Sequence, residues 1–360
     1  MQDTRLEKEI KNYIGLDIGD KYTHFCVIDE TGEISDDGKV RTNRRSITRA
    51  IQGLEAPRVA LEVGTHSRWI CALLADLNIE VLVANPRKIK LIHGDNKKDD
   101  RTDSEKLARL NRVDPSLLYP IEHRSDDHHR DLEFLKARDI LVQARTAQIN
   151  HVRGTLKGEG IKIGRVSAPA FASRVLAIVD SEHLVALKPM LEAIAMLTSK
   201  IKWYDNEIER LGSTKYAEDV EILRQVDGVG PITSLAFVLT LGDPFRFPKS
   251  RMVGSYLGLC PKRDNSGDSS PELRISKEGD GNLRRLLVQS AQYILGHFGK
   301  DSDLRRWGLK KAEGGKRAKN RAVTGVARRL AVLLHRLWVT GEVYEPLRNS
   351  NPPEQAAQAA

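Results

Sequence analysis

Tyr13-Ile-Gly-Leu-Asp-Ile-Gly19 is an apolar run that carries one carboxylate, Asp17. Burying a carboxylate inside an apolar strand is costly unless a partner compensates it, so this run predicts a strand that belongs to a site. A second run, Arg58-Val-Ala-Leu-Glu62, also ends in an acid, and Asp100 and Asp103 open a polar stretch of helical character. These four carboxylates are candidate ligands for a hard cation such as Mg²⁺.

The order of strand and helix patterns around these acids predicts an α/β fold. Five strands are predicted, at residues 13–18, 23–28, 32–42, 59–62 and 80–84. Two short helices are predicted, at residues 47–54 and 67–77. A three-stranded meander followed by alternating helices and strands is the order of the ribonuclease H-like (RuvC-like) folds, which have a mixed sheet. Functional sites in such α/β sheets gather at the ends of strands.

In that fold the four acids predict a two-metal site. Two divalent ions roughly 4 Å apart can clamp the attacking and leaving oxygens of a phosphodiester. Asp17 would bridge the ions, and Glu62, Asp100 and Asp103 would complete their oxygen shells. The alternative for Asp100 and Asp103 is a structural role as caps of the helix that follows them.

Charge and composition point to a polyanionic partner. The chain has 360 residues and a net charge of +9, which favours binding to nucleic acid. Between residues 305 and 336, eleven Lys or Arg stand against one acid, Glu313. The densest part of this stretch predicts phosphate contacts; it comprises Lys316, Arg317, Lys319 and Arg321. The alternative is an ordinary basic surface.

The cysteines and the apolar runs indicate the compartment. Cys26, Cys71 and Cys260 lie far apart and form no CxxC pair, which favours a reducing environment without structural zinc. The N-terminus has no apolar signal core, and no stretch approaches the ~20 apolar residues of a membrane span. We therefore expect a cytoplasmic protein with no membrane partner.

The rest of the chain predicts mainly helices. Residues 127–157 and 181–211 carry apolar stripes and predict an antiparallel hairpin, either a coiled coil that joins subunits or a hairpin packed on its own domain. Residues 223–235 predict a helix-hairpin-helix, in which Gly228 and Gly230 let the turn amides approach a phosphate. The expected domains are a nuclease domain at 1–126, a helical hairpin at 127–215, a mainly α-helical domain at 216–348 and a disordered tail at 349–360.

A second chemical cluster lies between residues 256 and 285. Its glycines, serines and bases lack a hydrophobic period and predict a long surface loop. A serine attacks phosphate only if its proton is taken and cations hold the developing charge. The candidate cations are Lys262, Arg263, Arg274, Lys277, Arg284 and Arg285. Composition does not choose among the candidate nucleophiles Ser266, Ser269, Ser270 and Ser276.

These motifs together resemble one family over nearly the whole chain. The chain resembles the DEDD-type transposases of bacterial insertion sequences, the insertion sequence 110 family, which are RNA-guided bridge recombinases. The first part carries the motifs around Asp17, Glu62, Asp100 and Asp103. The later part carries five further ordered motifs, at residues 226–231, 258–261, 265–267, 275–279 and 281–285.

The resemblance implies a specific chemistry. The four acids would bind Mg²⁺, two ions for which Mn²⁺ can substitute. Ser266, which precedes Gly267 as in the family pattern, would become covalently attached to DNA during excision and site-specific insertion. Asp268 stands where the family has a glycine and adds a negative charge near this serine. The resemblance also implies donor and target DNA, a structured non-coding guide RNA and a dimer or tetramer.

Three other interpretations compete with this one. A RuvC-like endonuclease would use metal-activated water and leave Ser266 idle. A non-catalytic relative would bind nucleic acid through a degenerate nuclease fold. A sugar or acetate kinase also begins with a strand carrying Asp-x-Gly, here Asp17-Ile-Gly19, but the expected second glycine repeat for phosphate is missing.

Overall fold

A mixed five-stranded sheet forms the core of the first of two structural units. The computed structural model describes residues 9–89, 100–262 and 273–350. The chain divides into one unit up to residue 123 and a second from residue 124 onward. The strands are β1 (Asn12–Ile18), β2 (Tyr22–Ile28), β3 (Ile34–Arg41), β4 (Pro57–Glu62) and β5 (Glu80–Ala84).

The sheet has the strand order β3-β2-β1-β4-β5. Strands β1, β2 and β3 form an antiparallel meander, whereas β4 runs parallel to β1 and β5 runs parallel to β4. This mixed sheet matches the predicted order of strands and is consistent with a ribonuclease H-like domain.

Three helices cover the two faces of the sheet. Helices α1 (Arg44–Ile51) and α2 (Ser67–Asp76) pack on the face that contains Ile14, Leu16 and Leu61. The helix predicted at 47–54 begins three residues earlier, because the side chain of Asn43 accepts a hydrogen bond from the Ser46 amide and caps it.

Helix α3 (Asp100–Val113) covers the opposite face and lies directly on the backbone of β1. A Cβ atom at Gly15 would be 1.9 Å from the Ser104 carbonyl oxygen and 2.6 Å from the Ala108 nitrogen. Only glycine lets the helix approach the strand this closely. At the other end of the helix, the buried Asn111 side chain donates to the carbonyls of Ile14 and Arg58.

The second unit is helical. Its helices are α4 (Asp126–Gly158), α5 (Phe171–Ile178), α6 (Ser181–Ser213), α7 (Ala217–Arg224), α8 (Pro231–Leu241), α9 (Arg251–Tyr256), α10 (Gly281–Leu295), α11 (Asp303–Ala312) and α12 (Lys316–Thr340). Helix α8 is almost entirely buried, so the other helices enclose it. No helix in the described part of the chain combines the length and the apolar character needed to cross a membrane.

The two longest helices among the described residues of this unit, α4 and α6 with 33 residues each, run antiparallel and contact each other along their length. Arg138 of α4 donates to Asp205 at 2.7 Å, and Arg145 contacts Thr198 at 3.3 Å. Further along, Ile149 packs in one cluster with Ile194. Residues further along α4 therefore contact residues that come earlier in α6, as expected for antiparallel helices. A coiled-coil character of this pair stays a prediction.

Two features of this unit differ from the sequence analysis. Helix α5 was not predicted, since its eight residues are too few to show a clear period. The loop predicted at 256–285 is shorter, because helix α10 begins at Gly281, where Asp280 accepts a hydrogen bond from the Leu283 amide. Arg284 and Arg285 are therefore helical residues.

Replacing Gly15 by alanine tests the contact between α3 and β1. The added methyl group overlaps the Ser104 carbonyl, so we expect the first unit to lose about 1–3 kcal/mol of stability. Hydrogen exchange of peptides from β1 and α3, measured by mass spectrometry on the full-length protein, reports this loss.

Gly64→Ala is the matched control, because a Cβ there has no atom within 4 Å. We expect this control to change protection by less than about 0.5 kcal/mol. Equal protection in the Gly15→Ala and Gly64→Ala variants would show that the close contact does not fix α3.

Candidate active site

The sheet register brings the first two predicted acids together. Leu16 of β1 lies opposite Leu61 of β4, so the next residues, Asp17 and Glu62, are neighbours at the ends of two parallel strands. On the other side of β1, Asp17 is paired with His24 of β2. Because side chains alternate along a strand, all three point to the face that α3 covers.

The other two predicted acids lie in the first turn of α3. Asp100 and Asp103 are both placed there, where the helix dipole favours negative charge. Asp100 also lies beside the strand residues, since its Oδ2 atom is 3.9 Å from His24 Nε2. Asp100 and Asp103 therefore lie at the start of a helix and also belong to the candidate site. All four acids share one face of the sheet.

The pKa of Asp17 reflects its burial and the proximity of the other three carboxylates. Burial raises the pKa of Asp17 to about 6, and repulsion from Asp100, Asp103 and Glu62 adds to the effect. The neighbouring His24 acts in the opposite direction. A carboxylate that is half-buried among three others is held in an unfavourable state, and a bound cation would relieve it.

The donor chemistry of this site suits Mg²⁺, which prefers carboxylate oxygens. Within residues 9–89, 100–262 and 273–350, no three His, Cys, Asp or Glu side chains already form a group that could hold an ion. Closing the shell therefore requires side-chain rotation. Asp100 has room for it, because its side chain is 60% exposed.

An ion pair joins the first turn of α3 to the sheet. Arg101 Nε lies 2.7 Å from Asp37 Oδ2 on strand β3. Neither this pair nor the role of Gly15 is among the features predicted from the sequence. A glycine in the middle of an apolar strand was the available signal, because it often marks a close backbone approach. The pairing of Arg101 with Asp37 had no local signal.

The serine cluster is described only at its base. Arg263 and Ser266, like Ser269 and Ser270, lie outside the described residues. Before and after them, the chain forms a short antiparallel ribbon in which the Lys262 amide donates to the Arg274 carbonyl at 3.0 Å. The Ser276 amide likewise donates to the Cys260 carbonyl at 2.9 Å. The two ends of segment 263–272 are therefore held side by side.

Comparison with known proteins gives the family. A model described as a transposase, the DEDD type of the IS110 group, matches residues 14–160, and the model of the transposase IS116/IS110/IS902 family matches residues 220–305. The chain belongs to the IS110 family of transposases. The first match spans the sheet and α3, and the second spans the helix-turn-helix at Gly228 and both ends of the serine segment.

Curated relatives support the same family. The chain is 28% identical to the transposase for insertion sequence element IS1111A of Coxiella burnetii, over 94% of this chain and 93% of the relative. It is 29% identical to the transposase for element IS1328 of Yersinia enterocolitica, over 78% of this chain and 83% of the relative. A probable family 20 transposase of Pseudomonas aeruginosa is 29% identical over 69% of this chain and 75% of its own length.

The glycine turn of this transposase lies between α7 and α8. Gly228 has a φ of +87°, and a Cβ there would be 2.9 Å from the Tyr293 ring. Gly230 caps α8, and a Cβ at this position would have no atom within 4 Å. Within the turn, Asp227 accepts a hydrogen bond from the Lys300 amide at 3.1 Å. Phosphate binding by this turn stays a prediction.

The predicted cations of the loop fall into two groups. Lys262, Arg274 and Lys277 are exposed at the loop base. The Arg284 guanidinium instead donates to the carbonyls of Leu257 and Glu278 at 2.9 Å, which closes the base of the loop. Arg285 is paired with Asp139 of α4.

The basic stretch at 305–336 is also divided between internal and surface roles. Arg306 pairs with Asp301, Arg336 pairs with Glu342, and the Arg329 guanidinium lies 3.9 Å from the centre of the Trp307 ring. The predicted nucleic-acid contacts lie in the first two turns of α12 and are exposed; they are Lys316, Arg317, Lys319 and Arg321. Part of the charge imbalance is thus structural.

Asp17→Asn is expected to stabilise the metal-free protein at pH 8. The folded state raises the pKa of this acid to about 6 from 3.8, so ionised Asp17 lowers stability above that pH. The cost disappears as the pH falls below about 4, where Asp17 is protonated in both states. After allowance for solvent screening we expect a gain of about 1–2 kcal/mol at pH 8 and no gain at pH 3.5, measured by urea unfolding.

We expect Mg²⁺ to reverse the order of stability in the same experiment. The ion would stabilise the wild type through the four carboxylates and leave the variant, which lacks one ligand, nearly unchanged. Asp36→Asn, a change at an exposed acid of β3, is the control and should follow the wild type. If Asp17→Asn also follows the wild type with and without Mg²⁺, the acids do not form one electrostatic unit.

Proposed function

We propose that this IS110-family transposase excises and inserts its element by Mg²⁺-dependent phosphoryl transfer on DNA, with Ser266 as the nucleophile and a non-coding RNA as the guide. The observation that carries the metal-dependent part is the placement of the four carboxylates on one face of the sheet. Burial of Asp17, together with repulsion from the other three acids, raises its pKa to about 6.

The four acids have separate structural supports. Asp17 and Glu62 are fixed on neighbouring strands, and Asp100 and Asp103 are carried by α3, which Gly15 admits to the sheet. Together they would hold the cation. When bound, Mg²⁺ supplies Lewis-acid stabilisation of the negative charge on the phosphate oxygens.

The serine step is a transesterification. The Ser266 hydroxyl oxygen forms a bond to phosphorus, and the bond between phosphorus and a deoxyribose oxygen breaks. The serine proton passes to a base or to solvent, and the leaving deoxyribose oxygen takes up a proton. A deoxyribose hydroxyl of another strand then loses its proton and attacks phosphorus, the bond between phosphorus and the serine oxygen breaks, and the serine oxygen takes up a proton. The exposed cations Lys262, Arg274 and Lys277 at the loop base support this role, since they can balance the charge of the phosphate.

The nucleic acids in this proposal have separate support. The net charge of +9 and the exposed start of α12 favour contacts with phosphate. Guidance by a structured RNA is inferred from family membership. The same proposal includes a division into domains after residues 126, 215 and 348, with the loop base and the glycine turn in the third domain. It also includes localisation in the bacterial cytoplasm, at the nucleoid when DNA is bound.

The antiparallel pair of α4 and α6 is the surface proposed to join subunits in a dimer or tetramer. It exposes apolar side chains that have no core to enter, among them Ile140, Val185, Met196 and Trp203. Met196→Glu should therefore lower the number of subunits in the assembly, from tetramer to dimer or from dimer to monomer, because a charge at an apolar interface is costly. Sedimentation analysis measures this, with the exposed Glu192→Gln as the control. An unchanged mass distribution for Met196→Glu contradicts this interface.

Recombination between two marked plasmids, supplied with the RNA from the flank of the element and Mg²⁺, tests the reaction. We expect Asp17→Asn and Ser266→Ala each to reduce recombinant product by at least about 100-fold, because each removes a group that acts on the reacting phosphate. Ser173→Ala is the control for the serine, since Ser173 is an exposed residue of α5 outside the loop.

The other outcomes identify the rivals. If only Asp17→Asn fails and Ser266→Ala still recombines, the serine assignment is wrong and a nuclease that uses water becomes the better interpretation. If the wild type recombines equally well without the RNA, guidance by RNA is refuted while the chemistry stands.

A further inference from the structure

We propose that Arg328 of α12 binds a DNA backbone phosphate in a cavity at the base of the serine segment. This proposal rests on the proposed function and adds to it a residue and a binding site. The cavity has a volume of about 780 Å³, and its polar lining includes Ser255, Lys262, Ser276, Glu278 and Arg328.

The position of the cavity follows from the ribbon that closes the loop. Lys262 is the last described residue before segment 263–272, and Ser276 lies four residues after it. The bonds from the Lys262 amide to Arg274 and from the Ser276 amide to Cys260 hold both ends at the cavity wall. A phosphate in the cavity would therefore lie close to both ends of the segment that contains Ser266.

Arg328 differs from Arg284, Arg285 and Arg336 in the state of its guanidinium. Arg284 is bonded to two carbonyls, Arg285 to Asp139, and Arg336 to Glu342. Within the part of the chain that the structure describes, Arg328 has neither a carboxylate nor a carbonyl partner, although it lines the cavity. Its five N–H donors are thus available to a ligand.

The stem of Arg328 packs against a neighbouring helix. It crosses helix α9 at Gly254, where a Cβ atom would be 3.1 Å from Arg328 Cγ and 3.5 Å from Nε. A packed stem with an unoccupied head costs less side-chain entropy when it binds a ligand. Glycine at position 254 thus allows the arginine to lie across α9 toward the cavity.

The charge of the lining selects an anion. Two cations, Lys262 and Arg328, stand against one acid, Glu278. The Ser276 hydroxyl can donate a further hydrogen bond, since its oxygen only accepts one from the Glu278 amide. A guanidinium binds phosphate through two parallel N–H bonds, which no other side chain does as well. A phosphodiester of the DNA substrate fits this set of donors.

Binding of a DNA duplex that carries the end of the element, measured by fluorescence anisotropy on the full-length protein in EDTA, tests the proposal. Arg328→Gln should weaken binding about tenfold and reduce the slope of log affinity against log salt by about 1, as expected for one lost phosphate contact. Arg328→Lys should recover part of the affinity. Arg306→Gln, which removes an arginine that is paired with Asp301, is the control and should change affinity less than about twofold.

A second readout is independent of folding effects. Modification of arginines by an arylglyoxal, mapped by mass spectrometry, should be suppressed at Arg328 by DNA and not by RNA of the same sequence. The proposal is overturned if Arg328→Gln binds DNA like the control, or if RNA alone protects Arg328. Because these measurements need neither Mg²⁺ nor Ser266, DNA binding through Arg328 by a protein that fails to recombine would refute the proposed function and leave this inference intact.

Discussion

The Ser104 carbonyl of α3 lies where a side chain at Gly15 would begin, so the helix lies on bare backbone of the central strand. This contact sets the distance between α3 and the sheet, and the acids depend on that distance. Asp17 is two residues from Gly15 on the strand, and Asp100 and Asp103 precede Ser104 on the helix. Asn111 fixes the far end of the helix through bonds to two strands, which leaves little freedom for a tilt. A larger residue at position 15 would move both helical acids away from the strand acids.

The same contact explains why the site is electrostatically costly. Bringing four carboxylates to one half-buried face raises the pKa of Asp17 to about 6. The apolar packing on the other face, where Ile14, Leu16 and Leu61 meet α1 and α2, compensates for that cost because those residues exclude water completely. One face of the sheet thus supplies stability, and the other supplies the acids.

In the helical unit, positive charge serves two purposes that the sequence does not distinguish. Internal contacts are made by Arg284, Arg285, Arg306 and Arg336. The contacts of Arg284 and Arg285 hold the base of the serine segment and the start of α10. A smaller set, which includes Arg328 and the exposed residues Lys316, Arg317 and Lys319, is proposed to bind phosphate. An arginine-rich helix therefore carries fewer binding residues than its composition indicates, because a guanidinium also satisfies carbonyls at helix ends.

Elements whose signals are local could be predicted from the amino-acid sequence. Apolar runs located β1, β2, β4 and β5, and a weaker strand pattern located β3. Apolar stripes located α4 and α6, and a carboxylate in an apolar strand located Asp17. Short elements without a full period, such as α5, and helix starts fixed by one capping side chain, such as Asn43 or Asp280, were missed or misplaced. Three further facts depend on the tertiary structure alone. His24 faces the acids, and Asp37 pairs with Arg101. The Arg328 guanidinium is available to a ligand, whereas that of Arg284 is bonded to carbonyls. The reason is physical: propensity and periodicity act over a few residues, whereas these facts depend on side chains that folding brings together from distant parts of the chain.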